Sequence, residues 1–236
     1  MQLTLDLGGS SDLRQVLVLL TQAFGSPPHG PRRDALGQLV KSLISSRTLD
    51  RVSAAAYERL RTAHPDWAGL MEAPPAAIER LIADVTFPEA KARHLPAALG
   101  MIAVERRDFD LDFLRDWPVS QALAWLERLP GVGREVAAAA LNVSTLRMPA
   151  FVVDVHGLRV LSRYGLVPTT TNNRIAFDKV MAQAQGWSAQ ELEDLHDLLK
   201  RLGQTLCRPN DLRCPRCPLQ VRCRTGSMLT QGSSQP

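Results

Sequence analysis

Apolar residues recur at spacings of three and four along most of the chain, the period of helices with one buried face. Leu13, Val16, Leu17, Leu20 and Phe24 line one such face, opening at Ser11 or Asp12 and stopping at Gly25. Leu36, Leu39, Val40, Leu43 and Ile44 repeat it after Asp34, and Val52, Ala55, Ala56 and Leu60 after Asp50. Shorter helical segments are predicted over residues 75–85 and 88–104. Ser120 is placed to cap a helix that buries Ala122, Trp125, Leu126 and Leu129, and another helix runs from Glu135 to Leu146. Three more follow, over 155–164, from the polar turn at 169–173 to about Gln185, and over 188–206, where Ser188 and Glu191 have the spacing of a capping box. Alternating strand-like runs are scarce. The expectation is an all-α protein of roughly ten helices, with a loose leader over residues 1–10 and a disordered tail after Arg224, assigned to 227–236.

Between two of these helices stands Leu129-Pro130-Gly131-Val132-Gly133-Arg134. Pro130 resists continuing the first helix, and the two glycines allow φ > 0 with no side chain in the way. The result is a helix–hairpin–helix whose amides face outward at the positive end of the second helix. That is a site for one phosphate, although an ordinary helix–helix turn has the same local pattern.

Composition narrows the class. In a chain of 236 residues, 45% hydrophobic content allows a sizeable core, in one large domain or two small ones. Ser26 to Arg33, with Pro27, Pro28, Gly30 and Pro31, reads as a linker, and Met148-Pro149 as a second break. The formal net charge of +4 and the pI near 9.1 favour a polyanionic partner. Arginine carries most of the positive charge; the lysines are Lys41, Lys91, Lys179 and Lys200. No apolar run approaches the roughly 20 residues that span a bilayer, and the start lacks a signal-peptide pattern. These features point to an intracellular, soluble protein of the cytoplasm, not associated with a membrane.

The cysteines Cys207, Cys214, Cys217 and Cys223 form a C-x6-C-x2-C-x5-C cluster and are the only ones in the chain. In a reducing compartment such a cluster reads as a metal site; by ligand type alone, zinc and iron–sulfur both remain open. Arg208, Arg213, Arg216, Arg222 and Arg224 surround it. They neutralise the thiolates, or Arg208 and Arg213 meet a phosphate backbone, or they form a solvated face.

With these residues in hand, the chain resembles the endonuclease III family of helix–hairpin–helix DNA glycosylases, from about residue 12 to 224. LPGVG at 129–133, VDVHGLRV at 153–160 and the four cysteines come in the family's order and spacing. The resemblance implies a 4Fe-4S cluster on the cysteines and two helical domains with a DNA-binding cleft between them. One domain covers residues 28–147 and carries the hairpin; the other joins 1–27 to 148–226. It implies a monomer acting on double-stranded DNA that contains damaged bases, oxidised pyrimidines above all, with the hairpin and Asp154 meeting where the chain crosses between domains.

It also implies roles. Leu129, Gly131, Val132, Gly133 and Arg134 would grip a phosphate. Arg47, within Leu43 to Asp50, stands where family members have a Gln that fills the gap left by an extruded base. Its planar head can stack on bases or bond the orphaned partner. Asp154 would stabilise the positive charge that develops on the sugar and orient water, or would simply cap the next helix. His156 fits the same segment in a structural role. The Schiff-base Lys of bifunctional members is replaced here by Glu135, which cannot attack the sugar. Monofunctional base removal is therefore expected, with Glu135 a candidate base for the water. The alternative is a protein of this fold that binds damage or abasic sites without catalysis.

Overall fold

The computed structural model describes residues 9–232. Among these it has twelve α-helices, three short 3-10 turns and no strand. The chain divides into two compact units, one of residues 31–148 and one of the residues up to 30 together with those from 149 onward.

In the first unit, α2 (Ala35–Ser45) starts where the Asp34 side chain accepts the Gly37 amide at 2.5 Å. It buries Leu36, Leu39, Val40, Leu43 and Ile44. It packs on α3 (Asp50–Ala63) and, further along the chain, on α8 (Arg134–Asn142). The helix α8 buries every residue from Val136 to Asn142, because its run of alanines is small enough for neighbours to close on all sides. It ends earlier than the sequence pattern suggests. The Ser144 hydroxyl bonds back to the Ala140 carbonyl, and the Met148 amide returns to Leu141 O. Between α3 and α8 come α4 (Trp67–Glu72), α5 (Pro75–Leu81), α6 (Pro88–Arg106), a 3-10 turn at Asp112–Asp116 and α7 (Val119–Leu126). α7 begins after Pro118, so Ser120 lies inside the helix and does not cap it. Pro118 supplies the extended residue that a helix start needs.

The second unit joins α1 (Gly9–Phe24) to α9 (Val155–Tyr164), α10 (Asn173–Gln183), α11 (Ala189–Thr205) and α12 (Arg224–Gly232). α11 is its spine, packed on α1 and α9. Ser188 and Glu191 form the reciprocal capping box. Gly203 allows the closest approach, because a Cβ there would sit 2.9 Å from the His156 Cβ. Residues 227–232, expected to be disordered, continue α12. Thr225 pins its start with a hydroxyl bond to Arg163 O. Of the expected leader, residues 9 and 10 lie in α1; residues 1–8 and 233–236 fall outside the described residues. No helix among the described residues is long and apolar enough to cross a membrane.

Candidate functional site

The hairpin has the backbone that its glycines require. Gly131 sits at φ 78, and a Cβ there would lie 2.7 Å from the His94 Nδ1, so only glycine lets the turn close on that ring. The Val132 amide returns to Leu129 O. Gly133 caps α8 with extended backbone and no side-chain hydrogen bond to the first-turn amides. Gly131 and Gly133 are exposed, so the turn offers its backbone outward. Leu129 and Val132, expected as DNA contacts, are 4% and 6% exposed. Their side chains hold the turn to the core, leaving only main chain for a ligand. Arg134 is also committed: its Nε donates to Glu127 Oε1 at 2.7 Å in a nearly buried pair that ties the two arms together. Glu135 is half-buried in the first turn of α8.

Arg47 lies exposed at the tip of a second loop of the same unit, at φ 58. The loop is held from below by Lys91, whose Nζ donates to Ile44 O at 2.7 Å, Ser46 O at 2.8 Å and Thr48 Oγ1 at 3.1 Å. Thr86 holds it from the side, donating its hydroxyl to Arg47 O and its amide to Thr48 Oγ1. These contacts put Phe87 beside Arg47, with the guanidinium 5.9 Å from the ring centroid. Phe87 is 56% exposed and held at φ 57, an uncommon state for a bulky residue. Sequence reasoning missed both Phe87 and His94. An aromatic residue before Pro88 was the one local signal for the first.

In the other unit, residues 150–154 lie outside any helix and are almost wholly buried, with Asp154 8% exposed and its own backbone extended. Asp154 caps α9, its Oδ1 accepting the Gly157 amide at 2.6 Å. One turn on, Arg159 donates to Cys207 O at 2.9 Å and Gly203 O at 2.8 Å, linking the helix that Asp154 starts to the cysteine segment. Burial lowers the Arg159 pKa, and the nearby Cys207 and Asp154 charges oppose that shift.

The cysteine segment wraps through two 3-10 turns and a bridge between Cys207 and Leu212. Arg163 donates to Cys207 Sγ at 3.5 Å and to Arg208 O at 2.6 Å, and its own carbonyl accepts from Cys223 Sγ at 3.4 Å. Burial pushes the Cys217 thiol up to about 11, helped by the charges of Cys223, Cys207 and Cys214. Cys214 is raised by burial and by Cys223 and Cys207. Among the described residues no group of three or more ligands is drawn close enough to hold a metal ion as it stands. The donor set itself fits an iron–sulfur cluster: four thiols within electrostatic reach of one another, no other ligand type, and a guanidinium on one sulfur. Ligation would displace the protons that burial now favours. Arg208 and Arg213 share Asp211, at 3.7 Å and 2.9 Å, and both remain more than two-fifths exposed.

A family model described as the HhH-GPD superfamily of base excision DNA repair proteins matches residues 40–187, a span holding the hairpin, Arg47, Glu135 and Asp154. The chain belongs to that superfamily. It is 27% identical over 213 residues to endonuclease III homolog 2, chloroplastic, of Arabidopsis thaliana, covering 86% of this chain and 52% of that protein. It is 26% identical to endonuclease III-like protein 1 of Bos taurus, covering 84% and 61%. The chain thus spans between half and two thirds of the length of these two curated relatives. A solved structure of a trapped endonuclease III–DNA covalent intermediate shares the fold, with a TM-score of 0.78 at 22% identity over 94% of this chain and 98% of that one.

Proposed function

We propose that this HhH-GPD protein is a DNA glycosylase of base excision repair that removes damaged bases, oxidised pyrimidines among them, from double-stranded DNA as a monomer. The observation that carries the reading is Asp154: a carboxylate at a helix start, after a buried non-helical segment, within the span that the superfamily model matches.

The chemistry needs a base taken out of the stack, a strand held in register and positive charge stabilised on the sugar. Backbone amides from Gly131 to Gly133 hold one phosphate without reading sequence. Arg47 and Phe87 together present a cation and an aromatic face to the gap left in the duplex. Asp154 has one oxygen engaged by Gly157, which leaves the other for water and for the developing charge at the sugar. Low exposure strengthens that field. Glu135 has no amine to attack the sugar, so release is by water and the strand is left intact. Cys207, Cys214, Cys217 and Cys223 would hold the 4Fe-4S cluster, which supplies a rigid anchor for the arginine-bearing loop. A second reading, a damage-binding protein without catalysis, is favoured by the carboxylate of Glu135 beside a phosphate site.

The test is base release from a panel of duplexes, each carrying one lesion, by the wild type and by Asp154→Asn. Release by the first and not the second supports the glycosylase. Tight binding of abasic duplex with no release from any member supports the second reading.

A further inference from the structure

A buried segment that belongs to no helix or strand must find donors for its carbonyls elsewhere, because a buried carbonyl left without a partner is costly. Residues 150–154 are such a segment, and none of them is more than 8% exposed. Its last two carbonyls before Asp154 are met by side chains of two different helices. Asn173, the first residue of α10, donates its Nδ2 to Val153 O at 2.9 Å. His196, on α11, lies with its Nδ1 3.0 Å from Val152 O. The acceptor is a carbonyl, so Nδ1 is the nitrogen that bears the proton.

Both helices are fixed independently of this contact. Asn172 caps α10 by accepting the Ile175 amide at 3.0 Å, and α11 has its capping box at Ser188. The two donors therefore stand on rigid elements and hold consecutive peptide units of the residues that lead into Asp154. On the other side the Asp154 carboxylate is held by Gly157. We infer that Asn173 and His196 are positioning residues: together they fix the 152–153 backbone and so the place and aim of the Asp154 carboxylate. This rests on the reading of Asp154 as the excision carboxylate. It assigns to α10 and α11 a duty that neither the hairpin nor the cysteines supply. A displacement of about 1 Å at a reacting group can cost on the order of a hundredfold in rate, so the effect is large enough to measure.

The test uses Asn173→Leu and His196→Leu, which keep volume and lose the donor, and His196→Asn, whose Nδ2 can take the place of Nδ1. On a duplex carrying one thymine glycol opposite adenine, each Leu variant is expected to lower the single-turnover rate at least about tenfold, with duplex affinity within about twofold. His196→Asn is expected to recover most of the rate. In an Asp154→Asn background the Leu substitutions are expected to cause no further loss, since the group they aim has gone. Amide exchange gives a readout independent of turnover. The Gly157 amide is expected to lose protection in the Leu variants while the amides near the end of α9 keep theirs. Unchanged rate and unchanged Gly157 protection would overturn the inference, and so would an equal fall in rate and affinity with protection lost along all of α9. If the wild type releases no base from any duplex, the glycosylase reading fails, and the Gly157 exchange alone still decides whether the two donors hold Asp154.

Discussion

Asp154 and Gly157 are joined by a hydrogen bond of 2.6 Å from the glycine amide to the aspartate carboxylate. The bond makes Asp154 the cap of α9, a duty that substitution can separate from the one proposed for its charge. Asn caps helices about as well as Asp, whereas Ala does not. Asp154→Asn is expected to leave the urea midpoint close to wild type, and Asp154→Ala to lose about 1 kcal/mol. The charge proposed to act at the sugar is lost in both, so both are expected to lower single-turnover base release by about a hundredfold or more. An Asn variant that excises at the wild-type rate would reduce Asp154 to a cap.

Phe87 separates stability from binding in the same way. Holding a bulky L-residue in the left-handed region costs about 1 kcal/mol, which glycine avoids. Glycine adds freedom to the unfolded chain of similar size. Phe87→Gly is therefore expected to fold with stability near wild type. Loss of the exposed ring is expected to weaken binding of a duplex with an extruded base by about 1–3 kcal/mol, the worth of one stacked base. Titrating wild type and variant against abasic and intact duplexes checks this. Equal weakening on both would assign Phe87 to general contact and not to the gap.

What the sequence made legible was local. Asp34, Asp154 and Ser188 were readable as helix starts because a cap needs only its own residue and an amide three places on. The capping box at Ser188 and Glu191 is present as spaced. The glycine hairpin was legible because Gly131 needs its φ whatever surrounds it. α4 escaped notice because in six residues only Leu70 is buried, too few for a period to show. What was not legible was tertiary. Nothing local marks His94 as the ring beneath Gly131, or Phe87 as the neighbour of Arg47. Arg134 was expected to grip a phosphate, because its partner Glu127 lies across a turn whose closure had to be known first. The polar composition after Arg224 hid a helix end whose support comes from Arg163, far back in the chain.

Glu135 carries a prediction about covalent chemistry. An amine at that position could attack the sugar and form a Schiff base; a carboxylate cannot. The wild type is expected to give no covalent adduct with an abasic duplex under borohydride, and Glu135→Lys to give one. The same change removes a negative charge half-buried in the first turn of α8, beside the proposed phosphate site, so affinity is expected to rise, most clearly at low salt. Strong trapping by the wild type would mean that another amine reaches the sugar.

Lys91 makes a prediction about pH. The residue is 7% exposed, and burial lowers its pKa to about 8, although Ile44 O, Ser46 O and Thr48 Oγ1 accept hydrogen bonds from its ammonium. In the unfolded chain the group titrates near 10.4. Between these values the unfolded state binds more protons than the folded one, so the Lys91 contribution to stability rises with pH from about 8 to about 10.4 and is flat below that window. Tyr57 and Tyr164 are raised by burial, so their contributions are lost at still higher pH. The difference between the wild type and Lys91→Met isolates the lysine. Urea midpoints at pH 7.5, 9 and 10 are expected to show the wild type gaining on the variant as pH rises. At pH 7.5 the variant is also expected to show a more mobile Arg47 loop, with faster amide exchange at Thr48, because two carbonyls beneath it lose their donor. A pH-independent difference would mean that the three acceptors hold the ammonium against the cost of burial, leaving Lys91 charged throughout the range.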